Sequence, residues 1–206
     1  MKNILALSFL ILSVVCNAQM PRGVEILEIK CLFKSTDSLV TGFDKSNPNS
    51  LKRLSVLDSA AKHHAQYLIF HYIHTDSLTH REYVDYPNFV EKVKPSDRSG
   101  FNGQTSEICN VETTYTIINP KYQKGTNWEE IVDPEFSYKN VLASYRNSPS
   151  HWSIATDKKY GYIGSYTTMV FYKTTKDLTQ KQIDQGFLRI VCNTFNVTVF
   201  IQDPNQ

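Results

Sequence analysis

The sequence lacks the features that mark several large classes of protein. It has no cluster of basic residues: 22 lysines and arginines stand against 20 aspartates and glutamates among 206 residues. A nucleic-acid partner is therefore a poor fit. No two cysteines lie two to four residues apart, so the ligand spacing of zinc-finger proteins is absent. Internal repeats and low-complexity tracts are absent too, which leaves an ordinary globular domain.

No apolar stretch is long enough to span a bilayer. The apolar run over residues 4–15 follows Lys2 and precedes Cys16-Asn17-Ala18, which is the order of a secretory leader with a small-residue cleavage site. We predict a cleaved signal peptide over residues 1–18, no transmembrane segment, and a secreted or periplasmic protein. A lipidated Cys16 is the alternative. About 188 residues would remain, enough for one well-buried domain.

Three cysteines would stay in the exported chain: Cys31, Cys109 and Cys192. An odd number allows at most one intramolecular disulfide bond and leaves at least one thiol. We favour the simpler alternative, in which all three act as small buried apolar residues.

The first part of the exported chain, residues 19–50, is predicted to be a strand and a linker. Residues 24–33 alternate apolar and polar side chains and predict the strand. A polar linker, rich in Ser, Thr, Asp and Asn, is predicted after it. These residues would either add an edge strand to a domain over residues 51–206 or form a flexible arm.

The clearest predicted helix runs from Leu51 to about Ile73, with Ser50 as its N-cap. Its core face is defined by apolar residues at three- and four-residue spacing: Leu54, Leu57, Ala61, Ala65, Leu68 and Tyr72. The helix also carries histidines. His71 and His74 are three residues apart and could bind a metal, but we favour a solvated or half-buried flank of the helix for these two and for His63 and His64.

The second half of the chain is predicted to be loop, helix and then strands. Residues 80–110 are loop-like, and Asp97-Arg98 within them could hold the loop by a charge-assisted hydrogen bond. A helix ends at Asn147, and Ser148-Pro149 starts a short one in which His151 is the third residue. The helix dipole there favours a neutral imidazole. Strands are predicted over 166–172, 187–192 and 195–201, and the sequon at Asn196 is predicted to have no role.

Several short motifs, taken in order, resemble the CAP superfamily, also called the SCP-like or cysteine-rich secretory, antigen 5 and pathogenesis-related 1 domain. The likeness is to its bacterial branch and covers roughly residues 51–202. It rests on the following segments: Ala60-Ala61, His64-Ala65, His80, Asp97-Arg98, Glu107 with Asn110, Asn147-Ser148-Pro149-Ser150-His151, and Ile163-Gly164. The last two segments are the most specific.

The resemblance implies an α+β fold, namely a three-layer α-β-α sandwich with a central antiparallel sheet. It also implies a cleft with a divalent-cation site, zinc first, whose ligands would be His80, Glu107 and His151. The chain departs from the family pattern: Ser106 replaces a glycine, Ile108-Cys109 separates Glu107 from its asparagine, and the second glutamate of eukaryotic members has no counterpart.

Three functions are compatible with these residues. The first is an exported binding module that captures a lipid, a glycan or a protein. Its cation would be held by the two histidines, and Glu107 would either bind the cation as well or accept a hydrogen bond from a histidine ligand. The alternative is a metal-dependent hydrolase in which a cation-bound water attacks and Glu107 is the base, or a metal-free version with His151 as the base. The third is a structural envelope protein. The binding module is the function that we predict.

Overall fold

A computed structural model describes residues 20–21, 23–82, 94–101, 104–119, 121, 127–132 and 140–203. The leader predicted over residues 1–18 lies outside these ranges. None of the described helices combines the length and the hydropathy that a membrane span needs.

Strands and helices alternate irregularly along the chain. In order they are β1 (Glu25–Cys31), α1 (Phe33–Ser46), β2 (Lys52–Arg53), α2 (Ser55–Thr75), α3 (Pro95–Ser99), β3 (Thr105–Ile118), α4 (Trp128–Val132), α5 (Val141–Arg146), α6 (Pro149–Ala155), β4 (Tyr160–Thr174), α7 (Gln180–Asp184) and β5 (Leu188–Gln202). The start of α6 confirms the sequence prediction, because Ser148 is its N-cap residue and Pro149 its first residue.

One sheet joins the described strands in the order β1-β4-β5-β3, and β2 lies beside β4 off this path. The pairs β1–β4, β4–β5 and β3–β5 are antiparallel, and only the two-residue β2 runs parallel to its neighbour. The long hairpin of β4 and β5 is the centre of the sheet. β1 and β3 are its edges.

Helices cover both faces of this sheet. Val191, Phe195, Val197, Val199 and Ile201 of β5 share a cluster with apolar residues of α2, whereas Ile190, Cys192 and Phe200 belong to clusters on the other face. Those clusters contain residues of α1, α5, α6 and α4. Because successive side chains of a strand point to opposite faces, the predicted three-layer α-β-α sandwich with a central antiparallel sheet is confirmed.

The polar linker predicted after β1 is wrong, because residues 33–46 form helix α1. Thr36, Leu39 and Phe43 are buried on one face of α1, at the spacing of an amphipathic helix. Phe43 packs against Tyr145 and Phe200, with ring centroids 5.6 and 5.7 Å away. The segment therefore belongs to the core of the domain, and β1 before it is an edge strand rather than part of an arm.

Two further predictions need correction at their boundaries. Helix α2 begins at Ser55 after Leu54 rather than after Ser50, because Lys52 and Arg53 pair with β4. The end of the predicted loop is wrong as well, since Thr105 begins the fourteen-residue strand β3. The core face of α2 is confirmed: Leu57, Ala61, Ala65 and Leu68 are buried, and Leu54 and Tyr72 pack against the same cluster.

Cysteine and sequon predictions are also resolved in the described residues. Cys31, Cys109 and Cys192 are free thiols, and the last two are buried, as expected of small apolar residues. Asn196 is completely buried within β5. Its amide donates hydrogen bonds to the Ser165 hydroxyl at 3.0 Å and the Thr167 hydroxyl at 2.9 Å. The Asn196 amide therefore connects two sheet strands and is inaccessible to a glycosylating enzyme in the folded protein.

Candidate functional site

Glu107 is the centre of a group of polar side chains at the β3 edge of the sheet. Its place in β3 points its side chain toward the layer of α2, on the same face as Cys109. Arg98 of α3 donates to both carboxylate oxygens of Glu107 at 2.6 Å, and both side chains are fully buried. A charge-assisted pair in this geometry holds the carboxylate in one orientation.

His64 of α2 packs on the other side of this carboxylate. Its Nδ1 lies 2.9 Å from Oε1 of Glu82, and its Nε2 lies 2.8 Å from the carbonyl oxygen of Thr79. The same Nε2 is 3.4 Å from Oε1 of Glu107. Both ring nitrogens therefore face oxygen acceptors, an arrangement that an imidazole protonated at both nitrogens would satisfy.

The two buried glutamates are held as carboxylates. Burial alone would raise the pKa of Glu82, but hydrogen bonds from His63 and His64 and the charge of Arg98 lower it to about 2. Burial likewise opposes ionisation of Glu107, yet His64, His80 and Arg98 together hold the pKa of Glu107 below its usual range. The surrounding cations thus offset the cost of burying two negative charges.

His80 lies above Glu107 and is half exposed. Its Nδ1 is 3.2 Å from Oε1 of Glu107, and its side chain retains 50% of its exposure. The thiol of Cys109 lies 3.6 Å from the same ring nitrogen. Burial and the neighbouring Glu107 raise the pKa of Cys109 well above its usual value, so this thiol is not prepared for nucleophilic attack.

His151 of α6 approaches this site from the opposite helical layer. Its ring packs edge-on against Tyr145, with centroids 5.6 Å apart. Tyr145 in turn packs beneath β3 and donates a hydrogen bond of 2.8 Å to Oδ1 of Asn196. Burial, and then the charge of His80, lower the pKa of His151. Both effects favour a neutral imidazole at His151.

The geometry brings together two of the three predicted ligands directly, because His80 and Glu107 are in contact. His151 packs against Tyr145 in the opposite helical layer, and its place among the ligands stays a prediction. Arg98 holds the loop as expected: it donates to the carbonyl oxygen of His80 at 3.2 Å in addition to Glu107. The solvated flank predicted for the α2 histidines holds for His74, which is exposed, but not for His64.

Sequence reasoning missed the roles of His64, Glu82 and Cys109. The spacing contained a signal for His64, which stands three residues after Ala61 and seven after Leu57 and therefore lies on the core face of α2. A histidine at such a position needs buried hydrogen-bond partners. Glu82 carries no comparable signal.

Donor atoms of His64, Glu107 and Cys109 all lie within 4.8 Å of one another, close enough to hold a metal ion. Without a metal ion, each of these three side chains is already held in another state. Arg98 occupies both oxygens of Glu107, Glu82 and Thr79 occupy the nitrogens of His64, and burial keeps the thiol of Cys109 protonated.

Comparisons with known proteins add little to this geometry. No protein-family model matches the chain, and no curated protein matches it. Among solved structures it is similar to an outer surface protein from Borrelia burgdorferi. That similarity has 15% sequence identity and a TM-score of 0.47, and it covers 88% of this chain and 99% of the other. A similarity at this level transfers no function to the chain.

Proposed function

We propose that the chain is a binding module that uses a divalent cation, zinc first, held by His80 and His151 at the β3 edge. The observation that carries this proposal is the availability of ring nitrogens. His80 uses Nδ1 toward Glu107, and its Nε2 has no hydrogen-bond partner among the described residues. Neither nitrogen of His151 is bonded to a described residue. Imidazole nitrogens without a hydrogen-bond partner are the ligand type that zinc prefers.

Glu107 would support this site through His80. A carboxylate that accepts from the Nδ1–H of a histidine fixes the tautomer in which Nε2 carries the lone pair, and so increases its strength as a ligand. Because Arg98 occupies both oxygens of Glu107, the role of hydrogen-bond acceptor fits this carboxylate better than direct coordination. The sequence predicted Glu107 either as a metal ligand or as the hydrogen-bond acceptor of a ligand. We propose the second role.

Two histidine ligands fill only two coordination positions of the cation and leave the others open to a partner. An oxygen or nitrogen of a lipid, glycan or protein could complete the coordination there. Hydrolysis is less well supported, because Glu107 would have to be the general base. Its side chain is fully buried and paired with Arg98, and its pKa is below the usual range. Such a carboxylate is a weak base for a bound water.

We also propose membership of the CAP superfamily, on the residues named above. The resemblance predicts that His80 and Glu107 belong to one site, and their side chains are in contact. The resemblance further predicts a three-layer sandwich, and the fold has these three layers. Export after cleavage of residues 1–18 remains a prediction from the sequence.

Thermal unfolding with and without zinc tests the cation site. Zinc at about a hundredfold excess over its dissociation constant is expected to stabilise the wild-type protein by about 2.7 kcal/mol. His80→Gln and His151→Gln are expected to abolish that stabilisation, because each removes one of two ligands. His74→Gln is the matched control, since His74 lies on the exposed end of α2 and should leave the zinc effect unchanged. A zinc effect that survives in His151→Gln would contradict the proposal.

A further inference from the structure

A cavity of about 240 Å³ lies at the end of α2 that is far from His64. Asp76, the C-cap residue of α2, lines this cavity. It lies twelve residues after His64, which is about 18 Å along the helix axis. The cavity is therefore separate from the cation site. It is smaller than most drug-sized ligand sites, which begin at about 300 Å³, and so fits a small molecule.

Charges of both signs surround this cavity in equal number. Lys176 forms an ion pair with Asp76, and Arg189 forms one with Asp177. All four side chains line the cavity. A wall with two positive and two negative groups has no net charge, so it is complementary to a ligand that is itself neutral overall but carries one charge of each sign.

Arg189 supplies one of the two positive charges of this cavity and is held in a fixed orientation. Its guanidinium stacks on the ring of Tyr115, with the central carbon 3.9 Å from the ring centroid, and its Nη1 donates to Asp177. Nε of Arg189 is buried and has no hydrogen-bond acceptor among the described residues. Arginine usually binds a carboxylate through two parallel N–H groups, and stacking on Tyr115 fixes the guanidinium plane in which such a carboxylate would lie.

Two aspartates at the cavity have an unusual backbone conformation. Asp76 and Asp177 have φ values of 55° and 64°, and they are the only non-glycine residues with positive φ in the described part of the chain. Glycine adopts this conformation with less strain. The chain instead places a carboxylate at both positions, and both carboxylates line the same cavity. At Asp76 this conformation is the left-handed cap that ends α2, and the Asp76 N–H donates to the carbonyl oxygen of Tyr72.

The remaining wall is apolar, with a few neutral polar groups. Val24, Ile73 and Val191 supply aliphatic surface. The hydroxyl of Tyr172 also lines the cavity and accepts a hydrogen bond from the amide of Asn193 at 3.3 Å, while Oδ1 of that buried asparagine has no partner among the described residues.

We infer that this cavity binds a small zwitterion with an apolar side chain, that is, an apolar α-amino acid. Its carboxylate would pair with the guanidinium of Arg189, and its ammonium group would donate to the carboxylates of Asp76 and Asp177. Its side chain would lie against the aliphatic wall. Burial of the apolar side chain supplies the favourable free energy, and the two charged ends supply orientation and specificity.

Isothermal titration of the whole protein with L-leucine and L-phenylalanine tests this inference. At least one of the two is expected to bind. N-acetyl-L-leucine, which lacks the cation, and 3-methylbutylamine, which lacks the carboxylate, are expected to bind about tenfold to a hundredfold more weakly than leucine, the loss expected from removing a charged hydrogen bond. No binding by either amino acid, or equal binding by the two analogues, would overturn the inference.

Arg189→Gln is expected to weaken binding by the same factor, because it removes the cation that faces the carboxylate. Arg53→Gln is the matched control, because Arg53 also forms ion pairs with aspartates but does not line the cavity. If the Arg189→Gln variant does not fold, the Asp177→Asn variant is tested instead. Asp177 is largely exposed, so loss of its charge should spare the fold while weakening binding. Unchanged affinity in a folded Arg189→Gln or Asp177→Asn variant would place the amino acid elsewhere and refute the assignment.

Discussion

Replacing Arg98 with methionine is expected to lower the free energy of unfolding by about 3–5 kcal/mol, the typical cost of leaving a buried charge without its partner. Arg98 donates to both oxygens of Glu107 at 2.6 Å and lies 3.6 Å from Oε1 of Glu82. All three side chains are buried. Without the guanidinium, two buried carboxylates would remain, with histidines as their only neutralising partners among the described residues.

Denaturant unfolding of the purified variants would measure this loss. Arg53→Met is the control, because Arg53 pairs with Asp37 and Asp58 at the surface, where such pairs contribute less than about 1 kcal/mol. Combining Arg98→Met with Glu107→Gln should recover part of the stability, since the second change removes the charge that the first one leaves unpaired. Equal, small losses in Arg98→Met and Arg53→Met would show that the buried network does not stabilise the fold.

Gly164→Ala is expected to cost about 3 kcal/mol through overpacking. Gly164 lies in β4 directly beneath the first turn of α2. A Cβ atom at this position would overlap with Cβ of Leu57 and with the backbone nitrogen of Asp58. Because the second contact is with backbone, α2 would have to move off the sheet. This close approach explains the glycine in the Ile163-Gly164 motif.

Gly42→Ala separates this effect from the general consequence of adding a methyl group. Gly42 lies within α1, and the methyl group would meet only the end of the flexible Leu142 side chain, at 2.5 Å. Alanine also favours a helix over glycine by about 1 kcal/mol. We therefore expect the melting temperature of Gly42→Ala to stay close to that of the wild-type protein while Gly164→Ala melts well below it. Similar melting temperatures for the two variants would contradict the packing argument.

Much of the fold could be predicted because apolar periodicity records burial directly. The core face of α2 and the strands of the final hairpin, rich in β-branched and aromatic residues, could be predicted in this way. Helix α1 could not, because only Thr36, Leu39 and Phe43 are buried among many polar residues. Strand β3 was missed because its polar residues, including Glu107, are satisfied by side chains distant in sequence.

The candidate site shows the same limit. Short motifs singled out His80, Glu107 and His151, and the first two are in contact, but the buried partners around them could not be predicted. Glu82 and His64 are separated by eighteen positions, and their hydrogen bond depends on how α2 packs on the sheet. Long-range polar contacts of this kind depend on the tertiary fold and leave no periodic pattern in the sequence.

The identity of the atoms around a bound zinc ion tests the central claim most directly. X-ray absorption at the zinc edge of the zinc-loaded protein distinguishes nitrogen and oxygen ligands, at about 2.0–2.1 Å, from thiolate sulfur at about 2.3 Å. Zinc on His80 and His151 predicts nitrogen and oxygen neighbours alone, with the imidazole signal reduced in His151→Gln. Sulfur in the coordination sphere would instead place the metal beside Cys109, whose thiol lies near His64, His80 and Glu107, and would contradict the proposed site.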